Sequence, residues 1–113
     1  MMKVEAFIRP QAVVAVKEAL AAIGAHGITV SDVRGGGNER GFTHRYRGAE
    51  YSVNLLPKVR IEVVVRAREA RVVAEAIVDA ACTGAVGDGR IWMTPVSEVI
   101  RIRTGETGLA ALS

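Results

Sequence analysis

Three segments of this 113-residue chain have residue types and spacings suited to holding phosphate. Gly35-Gly36-Gly37 closes a β-branched run, where missing side chains let backbone N–H groups come close to an anion. Thr83–Arg90 reads as a tight, glycine-rich turn after a helix, with a basic residue at its exit. Arg101 and Arg103 are alternate residues that point the same way in an extended segment, where two guanidinium forks would grip phosphate. Each segment alone also has an ordinary reading, as a hinge, a hairpin-like connection and a solvated basic tail. Together they suggest a nucleotide site, although neither glycine segment has the P-loop spacing and no GxGxxG follows a strand.

An enzyme would need a placed base or nucleophile, and the sequence offers only His26, His44, Cys82 and scattered carboxylates. No triad can be assembled from them, and Glu39, His44 and Glu50 are a thin set for a metal sensor. The chain therefore reads as a binding and interaction protein rather than an enzyme. The net charge of +3 comes from 12 arginines and 3 lysines against 12 acids. These arginines are dispersed, which favours phosphate pockets over a nucleic-acid surface. The single Cys82 excludes an internal disulfide, and no stretch of 18 apolar residues suggests membrane insertion, so the expected location is the cytoplasm.

The elements that must carry these segments follow from periodicity. Residues 3–9 alternate, with Val4, Ala6 and Ile8 on one side, and predict a strand. Val13, Val16, Leu20 and Ile23 recur at helical spacing before Gly24. Residues 27–34 return to β-branched types, and residues 38–54 show no sustained period, which predicts a long loop. Residues 58–66 alternate, residues 69–82 form a second helix with a stripe of Val72, Val73, Ala76, Ile77 and Ala80, and Arg90–Met93 is a last strand. This order predicts a single α+β domain over residues 1–113, a ferredoxin-like βαββαβ fold with both helices on one face of an antiparallel sheet. The other sheet face is expected to be Val-rich and to be buried by self-association.

The same residues resemble those of a known family. Tyr46-Arg47-Gly48-Ala49-Glu50-Tyr51, followed in register by Leu56-Pro57-Lys58-Val59, is similar to the modification signature of bacterial PII signal-transduction proteins. Thr83–Val96 resembles the family's second signature, and Arg101-Ile102-Arg103-Thr104-Gly105-Glu106 its C-terminal segment. Arg9-Pro10, Val16–Leu20 and His26–Val30 fall in the family's places, so the resemblance covers nearly the whole chain. It implies a compact homotrimer with ATP or ADP as effectors in clefts between subunits. One subunit would supply Thr29, Gly35, Gly36, Gly37, Asn38, Glu62, Val64, Gly87, Asp88, Gly89 and Arg90, with Arg101 and Arg103 completing the cleft. Residues 37–55 would form the T-loop between the second and third strands of the fold, residues 83–90 the second nucleotide loop, and residues 101–113 a C-terminal segment. The T-loop would dock onto ammonium transporters or nitrogen-metabolism enzymes, and Tyr51 would accept a nucleotidyl group from a nucleotidylyltransferase.

The match departs from the family at a few positions. Glu39 stands where a glutamine usually helps hold the magnesium that bridges ATP and 2-oxoglutarate, with Lys58 meeting the organic acid. A carboxylate binds magnesium, but it adds negative charge beside two anions and donates no hydrogen bond. Gly36, Asn38 and Ala85 replace residues that are commonly phenylalanine, arginine and lysine, while Arg40, flanked by Gly41, offers a compensating cation. The resulting expectation is retained nucleotide binding with altered or lost 2-oxoglutarate sensing. The alternative is a divergent PII-like sensor of nucleotide plus another small molecule.

Overall fold

A computed structural model describes residues 1–36 and 55–112, together with the strand backbone of residues 42–46 and 49–53. Its central sheet contains β1 (Met2–Ile8), β2 (Thr29–Gly35), β5 (Leu56–Val65) and β6 (Gly89–Pro95), in the order β2-β5-β1-β6 and antiparallel throughout. Between β2 and β5 lie β3 (Phe42–Tyr46) and β4 (Ala49–Val53), which pair only with each other. Helices α1 (Val13–Ala22) and α2 (Ala70–Ala81) connect the strands of each half and pack side by side over one sheet face. This is the expected ferredoxin-like α+β arrangement.

Local chemistry explains the element ends. Pro10 opens a short 3-10 turn that leads into α1, a position where its missing N–H costs nothing. At the other end Gly24 takes φ +76°, and two bonds close the helix: Gly24 N–H to the Ala21 carbonyl at 3.1 Å and Ala25 N–H to the Leu20 carbonyl at 2.9 Å. That is the Schellman pattern, and it explains why the helical period stops there.

The core is aliphatic, as a chain with so few aromatic residues requires. Val4, Ala6 and Ile8 of β1 face Val63, Ile61 and Val59 of β5 and are covered by Val16 and Leu20 of α1 and Val73 and Ile77 of α2. Each large aliphatic side chain sealed in this way contributes about 1.5–3 kcal/mol. The apolar stripe of α2 is rotated from the expected one. Ala70, Val73, Ala74, Ile77 and Ala81 are buried, whereas Val72 is exposed. Alanines at these positions let the helix approach α1 and the sheet closely, and Val72 is left on the outer surface.

One expectation gains detail and another is corrected. The long excursion between β2 and β5 contains a strand pair, Phe42–Tyr46 with Ala49–Val53, in register from Phe42 with Val53 to Tyr46 with Ala49. Five-residue strands are too short to show a convincing period against general loop composition. The uncovered sheet face is not Val-rich. It carries Lys3, Glu5 and Phe7 of β1, Arg60, Glu62 and Val64 of β5, and Arg90, Trp92 and Thr94 of β6 in facing register. The valines of the alternating strands point to the helices instead.

Charges on this face are interleaved. Lys3 Nζ lies 3.9 Å from Glu5 and 3.6 Å from Glu62, and the Arg60 guanidinium lies 3.9 Å from Glu5 and 3.8 Å from Glu62. Glu5 is only 7% exposed and accepts a 2.6 Å hydrogen bond from Trp92 Nε1. By contrast, the Arg71–Glu75 pair on the outer surface of α2 has side chains 79% and 66% exposed. Solvent screening leaves such a pair worth little. Arg71→Ala is expected to change unfolding free energy by no more than about 0.5 kcal/mol, measured by urea denaturation. A clearly larger loss would show that the pair is not merely superficial.

Candidate functional site

Two glycine segments that are 50 residues apart in sequence meet at one end of the sheet. The end of β2 supplies Gly35, with Gly36 following it, and the loop before β6 supplies Gly87, Asp88 and Gly89. They border an open cleft of about 520 Å³ whose walls also include Lys58, Arg90, Arg34, Phe7 and Trp92. Of the sequence-predicted residues, Gly35, Gly36, Lys58, Gly87, Asp88, Gly89 and Arg90 therefore gather in one place.

Lys58 joins the two sides. Its ammonium donates to the Gly87 carbonyl at 2.9 Å, and its Cγ packs where a side chain on Gly35 would stand, 3.3 Å from an ideal Cβ there. The residue is buried to 8% exposure on β5, so its position is set by packing as well as by charge. Gly35 is thus small because the lysine stem crosses it.

The loop from Thr83 to Gly89 is held by Asp88. One carboxylate oxygen accepts the backbone N–H groups of Thr83 at 2.7 Å and Gly84 at 2.9 Å. The other accepts the Thr83 hydroxyl and, at 3.3 Å, Arg9 Nε. Arg9 also donates through its guanidinium to the Val86 carbonyl. These hydrogen bonds, the Thr83 side chain first among them, hold the Asp88 carboxyl down to about 2. Asp88 is therefore a positioning residue whose carboxylate is turned toward its own loop. Arg9 was missed as a participant, since only the three-dimensional fold brings the end of β1 against residue 88. The aromatic wall was also missed: Phe7 and Trp92 are 4.7 Å apart between ring centroids, on neighbouring strands. Their pairing could have been read only once the β1–β6 register was known.

The remaining predicted residues lie elsewhere. Thr29 pairs with Glu62 and Gly35 with Leu56, so Thr29 lies six strand residues, or about 20 Å, from Gly35, and Glu62 lies four residues, or about 13 Å, from Lys58. Val64 is farther along β5 and borders a different cleft. Within a single chain these residues therefore lie apart from the glycine cleft.

Arg101 and Arg103 are not alternate residues of an extended segment either. Residues 102–104 form a turn closed by Gly105 N–H to the Arg101 carbonyl at 2.7 Å, with Ile100 bridging to Thr107. Arg101 donates to Glu106 at 2.7 Å and to the Ala110 carbonyl at 3.0 Å, while Arg103 is exposed. Gly105, at φ +73°, supplies the backbone reversal that a period-two reading overlooked. Gly37, Asn38, Glu39, Arg40 and Gly41 lie outside the described residues, and Tyr51 is described only as strand backbone in β4.

This combination defines a class: a small α+β domain with a hairpin-bearing excursion beside a glycine-lined, basic cleft. Comparison with known proteins fixes the family. The sequence profile described as Nitrogen regulatory protein P-II matches residues 1–106. A Nitrogen regulatory protein P-II of Rhizobium meliloti (strain 1021) is 54% identical over 112 residues, covering 99% of this chain and 100% of its own. The Nitrogen regulatory protein P-II 2 of Methanothermobacter thermautotrophicus is 49% identical over 112 residues, with 99% and 97% covered. A Nitrogen regulatory protein P-II of Azospirillum brasilense is 54% identical over 108 residues, 96% of each chain. The chain belongs to the nitrogen regulatory protein P-II family, whose members are signal-transduction regulators rather than enzymes.

Proposed function

We propose that this chain is a nucleotide-responsive regulator of nitrogen metabolism that binds ATP or ADP in a cleft between copies of itself. The observation that carries this reading is the meeting of Gly35 and Gly36 with Gly87–Arg90 around Lys58. Glycine backbone and cationic side chains meet there without an assembled nucleophile among the described residues, which suits binding of phosphate better than its transfer. Thr29, Glu62 and Val64 lie toward the far end of β5, so their participation requires a second copy to bring that end to this cleft. A homotrimer, the form implied by the family resemblance, supplies such neighbours. Arg60 Nε is buried without a hydrogen-bond partner among the described residues, and an acceptor from another copy across the open face would satisfy it.

In this reading the β3–β4 excursion is the T-loop, which carries the nucleotide state to an ammonium transporter or nitrogen-assimilation enzyme in the cytoplasm. Tyr51 is its acceptor for a nucleotidyl group. No helix among the described residues is long and apolar enough to cross a membrane. Glu39 replaces the usual glutamine, so the organic-acid response is altered: magnesium is held, but 2-oxoglutarate meets an added negative charge.

Isothermal titration of the purified protein with ATP and magnesium, with and without 2-oxoglutarate, tests both parts. Saturable nucleotide binding is expected, with 2-oxoglutarate binding in the presence of MgATP only after Glu39→Gln. The absence of any nucleotide heat would overturn the reading. Binding of 2-oxoglutarate by the unaltered protein would show that Glu39 is tolerated and sensing is intact.

A further inference from the structure

A second cleft, of about 540 Å³, lies at the other end of the domain and is comparable in size to the glycine cleft. It forms where four elements converge: the end of α1, the end of β5, the start of α2 and the C-terminal 3-10 turn Gly108–Leu112. Its apolar lining includes Ile23, Val72 and Leu109, each a large side chain left substantially exposed. Its basic residues are His26, Arg66 and Arg68, with Glu69 the single acid. The side chains of Arg66 and Arg68 have no ion pair or hydrogen bond among the described residues, whereas those of Arg9, Arg60, Arg71 and Arg101 are each engaged.

We infer that this cleft is a second ligand site, for a small amphipathic carboxylate. An open cavity of this size with apolar walls and a few convergent polar groups has the build of a small-molecule site. A cavity of only apolar character would take a neutral ligand, and one of only basic character an inorganic anion. Here an exposed apolar surface and uncommitted guanidinium forks occur together. A planar carboxylate matches such a fork in shape and charge, and an aliphatic body covers Ile23, Val72 and Leu109.

The position of the cleft gives its occupancy a consequence. Leu109 and Leu112 belong to the turn whose Ala110 carbonyl accepts the hydrogen bond from Arg101. A ligand seated against those leucines bears directly on the segment that holds this arginine. Of the lining residues only Val64 is also expected at the nucleotide site, and the inference is read on Arg66, Arg68 and Leu109, which are not.

The test titrates octanoate into the full-length protein by isothermal calorimetry, with acetate and octanol as the probes that lack the tail or the charge. Octanoate is expected to bind saturably, at least about tenfold more tightly than either control, the scale of losing one charged or one apolar contribution. Arg66→Glu with Arg68→Glu is expected to weaken octanoate about tenfold or more, and Leu109→Asp, in the C-terminal turn outside the core, to do the same. Both variants should retain the native circular dichroism spectrum. Octanol binding as tightly as octanoate, or octanoate binding that survives both variants, would overturn the inference, as would no octanoate binding at all. If the double variant does not fold, Leu109→Asp alone decides.

Discussion

Replacing Gly89 with alanine is expected to cost more than about 3 kcal/mol, enough to abolish the cooperative transition or to leave the protein insoluble. Gly89 opens β6 directly opposite Ile8, with φ +107°. An ideal Cβ there would stand 1.7 Å from the Phe7 carbonyl oxygen and 2.8 Å from its carbonyl carbon. Both atoms are backbone of the central strand β1, so no side-chain rotation relieves the clash. Either β6 leaves β1 or the strand carrying Val4, Ala6 and Ile8 moves out of the core. Gly84→Ala is the matched control. It has φ +85° and nothing within 4 Å of an added Cβ, so it carries only the left-handed backbone penalty of about 1–2 kcal/mol. Thermal denaturation of the two variants separates steric exclusion from conformational preference. Equal, small losses would show that β6 pairs more loosely than its register implies.

Asp88→Ala should leave the fold largely intact and weaken ADP binding about tenfold or more, the scale for loss of a supporting group behind a binding site. The Asp88 side chain gathers Thr83, Gly84 and Arg9 around the turn, and without it the Gly87–Gly89 backbone loses its fixed aim. Asp88→Asn should fall between, since an amide oxygen still accepts from Thr83 and Gly84 while its NH2 meets Arg9 unfavourably. A purely structural role would lower melting temperature in step with affinity. The expected pattern is affinity loss with little change in melting.

The same carboxylate makes a pH prediction with a definite sign. Its folded value, about 2, lies below the unfolded value of about 4, so its contribution is complete above pH 4 and disappears as pH falls toward 2. The amide shifts of Thr83 and Gly84 should titrate with a midpoint near 2. A midpoint near 4 would mean that the carboxylate is not held by these donors.

The difference between what the sequence discloses and what it withholds follows from the range of the interactions. Val4, Ala6 and Ile8, Val59 to Val65, and the spacing of Val16, Leu20, Val73 and Ile77 are local patterns, and they reveal strands, helices and core faces. The glycine segments at 35–36 and 87–89 are local too, but their meeting at one cleft was implied by the family resemblance rather than by any spacing. Arg9 with Asp88, Phe7 with Trp92 and Lys58 with Gly87 join residues 29 to 85 positions apart, and no period encodes such pairs. The charged character of the open face was misjudged for a related reason. Alternating strands show which residues share a face, but only the helix packing decides which face is covered.

The cross-strand arrangement of Trp92 has a practical corollary. This indole is the chain's only tryptophan, and it is 43% exposed, tilted against Phe7, hydrogen-bonded to Glu5 and set in the wall of the glycine cleft. Its emission colour reports the polarity around a single, known place. Water displaced by an arriving ligand should shift the band to the blue. The molecule thus carries its own optical gauge where the pocket meets the open sheet face, readable without any label.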